Sequence, residues 1–97
     1  MNGDELDRLV RAMSHATRRQ ILRLCANGPV SAGDVAAQID LALASVSEHL
    51  KVLRKNELVD VERGGTRWFY TTNIERINQV ITALDNDLPT GASKEKP

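Results

Sequence analysis

The chain opens with Leu6, Leu9, Val10 and Met13, apolar positions spaced by three and four as on one face of a helix. Asp4 and Glu5 precede the stripe, where a helix's first turn favours acids. A second stripe, Ile21, Leu22, Leu24 and Cys25, ends at Asn27-Gly28-Pro29, a run that stops helices. Ser31 starts a third, short helix, with Asp34 in an approximate capping box and Val35, Ala36 and Ile39 as the apolar face. Asp40 and Leu41 form a short turn. A fourth helix follows from about Ala42 to Lys55, with Val46, Leu50 and Leu53 facing inward.

The apolar period then falls from about 3.6 residues to about 2. Leu58 to Arg63 predicts a strand, and Gly64-Gly65 a hairpin turn, since both residues tolerate positive φ. Thr66 to Thr72, rich in β-branched and aromatic residues, predicts the return strand, and it holds the chain's aromatics, Trp68, Phe69 and Tyr70. A fifth helix runs from about Ile74 to Leu88, with a heptad-like seam of Ile74, Ile77, Ile81, Leu84 and Leu88. Residues 1–88 form the expected domain. Residues 89–97 lack large apolar side chains and predict a disordered tail. The order helix-helix-helix-helix-strand-strand-helix is mainly α with a β-hairpin. The short link between the third and fourth helices is that of a helix-turn-helix, and a hairpin directly after it makes a winged helix.

Ninety-seven residues suffice for one domain with a modest core. A hydrophobic fraction of 41% with 27% charged residues fits a globular chain. No apolar run is long enough to span a bilayer, and no charged segment followed by an apolar one opens the chain. One cysteine precludes an internal disulfide and a Cys-rich metal cage, and the expected compartment is the cytoplasm. Two histidines, no phosphate-binding glycine loop and no carboxylate–histidine constellation leave no basis for an active site, so an enzyme is not expected.

Thirteen basic and thirteen acidic residues cancel, which argues against a polybasic tail but leaves room for segregation. From Arg8 to Gly33 there are five arginines and no acid. From Leu50 to Arg67 come Lys51, Arg54, Lys55, Arg63 and Arg67, diluted by Glu57, Asp60 and Glu62. Two basic regions in a neutral chain suggest one basic face, or else an ordinary solvated surface.

Three motifs in order carry a resemblance. Ala12-Met13-Ser14-His15-Ala16-Thr17-Arg18-Arg19-Gln20-Ile21-Leu22 resembles the opening signature of ArsR/SmtB-type bacterial repressors. Val46-Ser47-Glu48-His49-Leu50-Lys51-Val52-Leu53 resembles that family's recognition-helix signature, and Leu58-Val59 with Gly65-Thr66-Arg67-Trp68-Phe69-Tyr70 its wing. The chain departs from the pattern at Ala16, where proline is usual, at Ala42-Leu43-Ala44-Ser45, where polar residues often open the recognition helix, and at Glu57, where glycine is usual. The resemblance implies a homodimeric winged-helix transcriptional regulator, usually a repressor, that binds double-stranded DNA.

On that implication the recognition helix enters a major groove. Ala44, Ser45, Ser47, Glu48 and Lys51 point away from the core stripe toward the bases. Glu48 reads either as an acceptor for cytosine N4 or as a charge that rejects wrong sites. His49, at the stripe's edge, reads as a structural hydrogen-bonding residue or as a DNA contact. Arg63, Gly64, Gly65 and Arg67 form a wing tip fit for a phosphate or a minor groove. Thr17 and Arg18, with Arg19, are expected to hold backbone phosphates or to pair with acids such as Asp34. His15 reads as a helix cap or local hydrogen-bond partner. The dimer seam is expected from Leu6, Leu9, Val10 and Met13 together with Ile74, Ile77, Ile81, Leu84 and Leu88.

The family includes metal sensors, but a paired-cysteine site at the third helix is matched here by Ser31 and Gly33, before Asp34. No histidine follows residue 49 to join Asp85 and Asp87. No metal and no cofactor are expected, and the inducer is open. Cys25 reads as a buried structural thiol. A winged helix serving as a protein-interaction module is the alternative, favoured by the neutral charge and the apolar start of the recognition helix.

Overall fold

A computed structural model describes residues 1–89; the expected tail lies, from residue 90 on, outside the described residues. Five helices and three strands follow in the order α1 (Gly3–Met13), α2 (Ala16–Leu24), β1 (Val30–Ser31), α3 (Ala32–Ile39), α4 (Leu43–Lys55), β2 (Val59–Gly64), β3 (Arg67–Thr72) and α5 (Ile74–Asp87). This is the winged helix-turn-helix expected from the sequence, with one addition. Val30 and Ser31 pair antiparallel with Tyr70 and Phe69, so the wing is a three-stranded sheet in the order β1-β3-β2. A two-residue strand is too short to show a period, and only its partner makes it one. Among the described residues no helix is long and apolar enough to cross a membrane.

Local chemistry sets the helix ends. Asn2 caps α1, its side chain accepting from the Glu5 amide at 2.8 Å. Ser31 caps α3, accepting from the Asp34 amide at 3.1 Å, as the capping pattern predicted. Asp40 takes the left-handed region (φ 54°), and Leu41 N–H donates back to the Ala36 carbonyl. The same closure ends α4. Glu57 sits at φ 60°, its N–H donates to the Arg54 carbonyl, and Leu58 N–H donates to the Leu53 carbonyl. That pair of bonds is a Schellman motif with glutamate where glycine is usual, and the buried side chains of Leu53 and Leu58 complete it.

The hairpin turn is Gly65-Thr66, one residue later than expected, because Gly64 is still paired with Arg67. Gly65 takes the positive φ, 65°. Gly64 serves a different purpose: a Cβ there would lie 2.9 Å from the Phe69 ring.

The core gathers Leu9 and Ala12 of α1, Ile21 and Leu22 of α2 with Cys25, Val35 of α3, the Val46-Leu50-Leu53 stripe of α4, Leu58, Val59 and Val80. Two seam expectations change here. Leu9 is 1% exposed and belongs to the core of the single chain, so it has no surface left for a partner. On α5 the fully buried residue is Val80, with Ile77 and Leu84 half-buried against the core. Ile74, Ile81 and Leu88, at heptad spacing, stay exposed.

Polar ties hold the layers together. Thr72 Oγ1 donates to the Leu22 carbonyl at 2.6 Å and its N–H to the Cys25 carbonyl, anchoring the sheet to the end of α2. Asn73 caps α5 through the Arg76 amide, and its own N–H donates to the Leu58 carbonyl. Arg76 then reaches Glu5 of α1 at 2.9 Å and the Asn56 carbonyl at the end of α4. Both side chains of that ion pair are largely covered, so it fixes the angle between the terminal helices.

Candidate nucleic-acid interface

With Val46, Leu50 and Leu53 locked in the core, α4 must turn Ala44, Ser45, Ser47, Glu48 and Lys51 to solvent, and all five are exposed. Ala42 caps α4 without a side-chain bond, so the first amides of the helix remain open at the end nearest Ser45. The helix thus offers hydroxyls, a carboxylate, an ammonium and free amides on one face.

Two arginines of the first basic region turn to the end of α1. Arg18 turns inward: its Nε donates to His49 Nδ1 at 3.3 Å and its Nη1 to the Ala12 carbonyl at 3.4 Å. Arg19 donates to the Met13 carbonyl at 2.7 Å. Both therefore satisfy carbonyls at the end of α1, and neither pairs with Asp34. The His49 pKa is held below its ordinary value of 6.5, first by desolvation, then by the Arg18 guanidinium and by His15. The hydrogen bond to Nδ1 needs the neutral ring, so His49 is braced on α4 with Nδ1 as acceptor. His15 stands at the cap position of α2 but makes no capping bond; its ring lies 6.3 Å from that of His49. Thr17 is half-buried at the start of α2.

In the wing, Gly64 and Gly65 are exposed at the tip, flanked by exposed Arg63 and Arg67. Arg67 is the residue that finds Asp34: Nη2 donates to Ser31 Oγ at 2.8 Å and lies 3.9 Å from the Asp34 carboxylate. The ion pair is solvent-exposed, 58% and 63% on the two side chains, and so holds Arg67 only weakly. Its guanidinium also covers the Phe69 ring at 5.6 Å. Arg63 stands over Trp68, its cross-strand partner, at 5.7 Å, and Arg54 of α4 reaches the same ring at 5.0 Å.

Arg54, counted in the second basic region, and Trp68, counted in the wing, were not among the expected DNA contacts. A turn at Gly64-Gly65 would place Thr66 opposite Arg63, and only the true register brings Trp68 there. Arg54, seven residues after Ser47, lies on the same side of α4 and could have been found by helical spacing.

The sites expected to be silent have clear surroundings. Ser31 is occupied in capping α3 and in accepting from Arg67. Among the described residues no three His, Cys, Asp or Glu side chains gather to hold a metal ion. Cys25 is fully buried, and burial pushes its thiol up to about 11, which keeps it protonated and unreactive near neutral pH.

A polar-faced helix set against a β-wing in this topology defines a winged-helix DNA-binding protein. Residues 13–62 match the helix-turn-helix domain family. The chain is 32% identical over 90 residues to the transcriptional repressor SdpR of Bacillus subtilis, spanning 86% of this chain and all of that one. Its fold is that of an ArsR-like transcriptional regulator from Rhodococcus sp. RHA1, with a TM-score of 0.79 at 24% identity over 87% of this chain and 79% of the other. It is also that of a homodimeric winged helix-turn-helix domain from Mycobacterium bovis, with a TM-score of 0.74 at 23% identity over 97% and 88%. This chain belongs to the ArsR/SmtB-type transcriptional regulators, and DNA-binding regulation of transcription is its function.

Proposed function

We propose that the chain is a homodimeric repressor that binds a two-fold symmetric operator and does not answer to a metal. The observation that carries this reading is the division of its surface. Past Leu43, 54% exposed at its start, the exposed face of α4 is polar, whereas α5 exposes an apolar row, with Ile81 57% exposed. Val10, 37% exposed on α1, adds to that apolar surface. An apolar row of this kind is costly in water and fits a second copy of itself, the arrangement that the Mycobacterium bovis relative is described as having. Two copies present two α4 helices to successive major grooves, and half-sites about 10 bp apart, or a multiple of that, are then expected.

Within each half-site, Ser47 and Lys51 are the base-reading candidates, with Ala44, Ser45 and Glu48 beside them. Arg63, Gly64, Gly65 and Arg67 face the flanking groove. Arg18 and His49 serve the interface by bracing α4 from behind. Ser31 and Gly33, at the two positions of the paired cysteines, support a regulator without the thiolate site.

Selection of bound duplexes from a random pool, at a stated salt concentration, tests the reading. A recurrent two-fold symmetric motif is the expected outcome, bound by a dimer as judged by light scattering, with zinc, nickel, copper or arsenite changing affinity no more than a few-fold. A pool without enrichment, or a monomer at tens of micromolar, overturns it.

A further inference from the structure

A groove of about 520 Å³ runs between α4 and the sheet, lined among others by Leu43, Ser47 and Arg54 on one side and Arg67, Trp68 and Tyr70 on the other. From the geometry we infer that this groove seats the single sugar–phosphate strand that separates the two grooves of DNA, and that Trp68 is the positioning residue of the seat. The inference rests on the DNA-binding reading above and deepens it.

A helix in a major groove and a hairpin in the adjacent minor groove must straddle one backbone strand, because one strand is all that lies between those grooves. The space between α4 and the wing is where that strand has to pass. The guanidiniums of Arg54 and Arg67 line it, and that of Arg63 lies over the ring of Trp68 in its wall. Arg67 is shared with Ser31 and Asp34, and the Asp34 carboxylate makes that end of the seat less attractive to a phosphate. Arg54 and Arg63 have no carboxylate partner among the described residues. Instead both are gathered on one indole ring, at 5.0 and 5.7 Å.

That arrangement has a physical consequence. Two like charges on different elements, α4 and β2, would spread apart in water. The ring's π-system attracts both, and it leaves their N–H donors free for phosphate oxygens. Trp68 thereby ties the wing to the recognition helix, and ordering the two arginines beforehand lowers the entropy lost on binding. Trp68 is 38% exposed, so the ring and the guanidiniums on it are open to a strand in the groove.

The test compares Trp68→Leu, Trp68→Phe and Arg54→Gln with the unaltered protein on matched and scrambled duplexes across a salt series. Each contact with a phosphate adds about 0.9 to the slope of log affinity against log salt. Trp68→Leu and Arg54→Gln are expected to lower the slope by about one and to weaken both duplexes by a similar factor, roughly 5- to 10-fold. Trp68→Phe, which keeps a ring face, should recover most of the loss. A methylphosphonate at the straddled position should weaken the unaltered protein and leave Arg54→Gln little changed. An unchanged slope, a loss confined to the matched duplex, or no advantage of phenylalanine over leucine overturns the inference. Should a leucine variant fail to fold, Arg54→Gln on the surface of α4 decides alone. Failure of the unaltered protein to bind any duplex would instead refute the parent reading.

Discussion

α4 and α5 are helices of 13 and 14 residues with apolar positions at helical spacing, yet they meet solvent in opposite ways. α4 buries Val46, Leu50 and Leu53 to within 1% and, apart from Leu43 in its first turn, shows water a row of hydroxyls and charges. α5 fully buries Val80 alone, and it and its cap residue leave Ile74, Ile81 and Leu88 about half-exposed. The first helix is complete as part of one chain, and its outer face is free for a polar ligand. The second is satisfied only on its inner side, and each apolar Å² left outside costs about 25 cal/mol. A regulator needs both: one face that stays wet until DNA arrives, and one that does not.

The largest effect that would break this contrast is expected at Ile81. Ile81→Asp places a carboxylate on the exposed row without touching Val80, so the chain should remain folded and become monomeric. Loss of the second half-site should lower operator affinity roughly a hundredfold or more, since the linked second contact is lost. Circular dichroism, light scattering and a duplex titration check the three parts. A folded dimer with unaltered affinity would remove α5 from the interface.

The wet face should respond differently. Ser47→Ala or Lys51→Ala should leave the dimer intact and cost about 1–3 kcal/mol on a matched duplex, with little change on a scrambled one, if a base contact is removed. Equal losses on both duplexes would make these residues phosphate contacts. Arg67→Ala should weaken both duplexes alike, its hold on Asp34 being weak.

A smaller change, in stability, is expected where α4 joins the wing. Glu57 is strained at φ 60°, so Glu57→Gly should raise stability by about 0.5–1 kcal/mol in denaturant titration. A loss would mean that the Glu57 side chain contributes more than its backbone costs.

The smallest is a pH dependence at His49. Its folded-state pKa lies below the ordinary 6.5, so the unfolded chain takes up the proton first as pH falls. The contribution is therefore fully present above pH 6.5 and is lost as pH drops from there toward the depressed value. His49→Gln should flatten that part of the stability curve. An identical curve in the variant would show that the Arg18 brace does not depend on the neutral ring.

Much of this molecule was determined by the sequence alone, because the signals are local. Apolar spacing located all five helices, and for the fourth and fifth it gave the ends to within one residue. The capping of α3 by Ser31 follows from side-chain chemistry within a few positions. The polar face of α4 follows once Val46, Leu50 and Leu53 are known to point inward. Tertiary structure alone decided the rest, because those contacts join residues far apart in the chain. Val30 is a strand only beside Tyr70. Arg67, not Arg18, finds Asp34, since the sheet carries it to the start of α3. Trp68 collects Arg54 and Arg63 only in the register that the Gly65-Thr66 turn imposes. A heptad pattern on α5 cannot say which of its rows faces the chain's own core, and it was the packing of α5 against that core that buried Val80 and left Ile74, Ile81 and Leu88 outside.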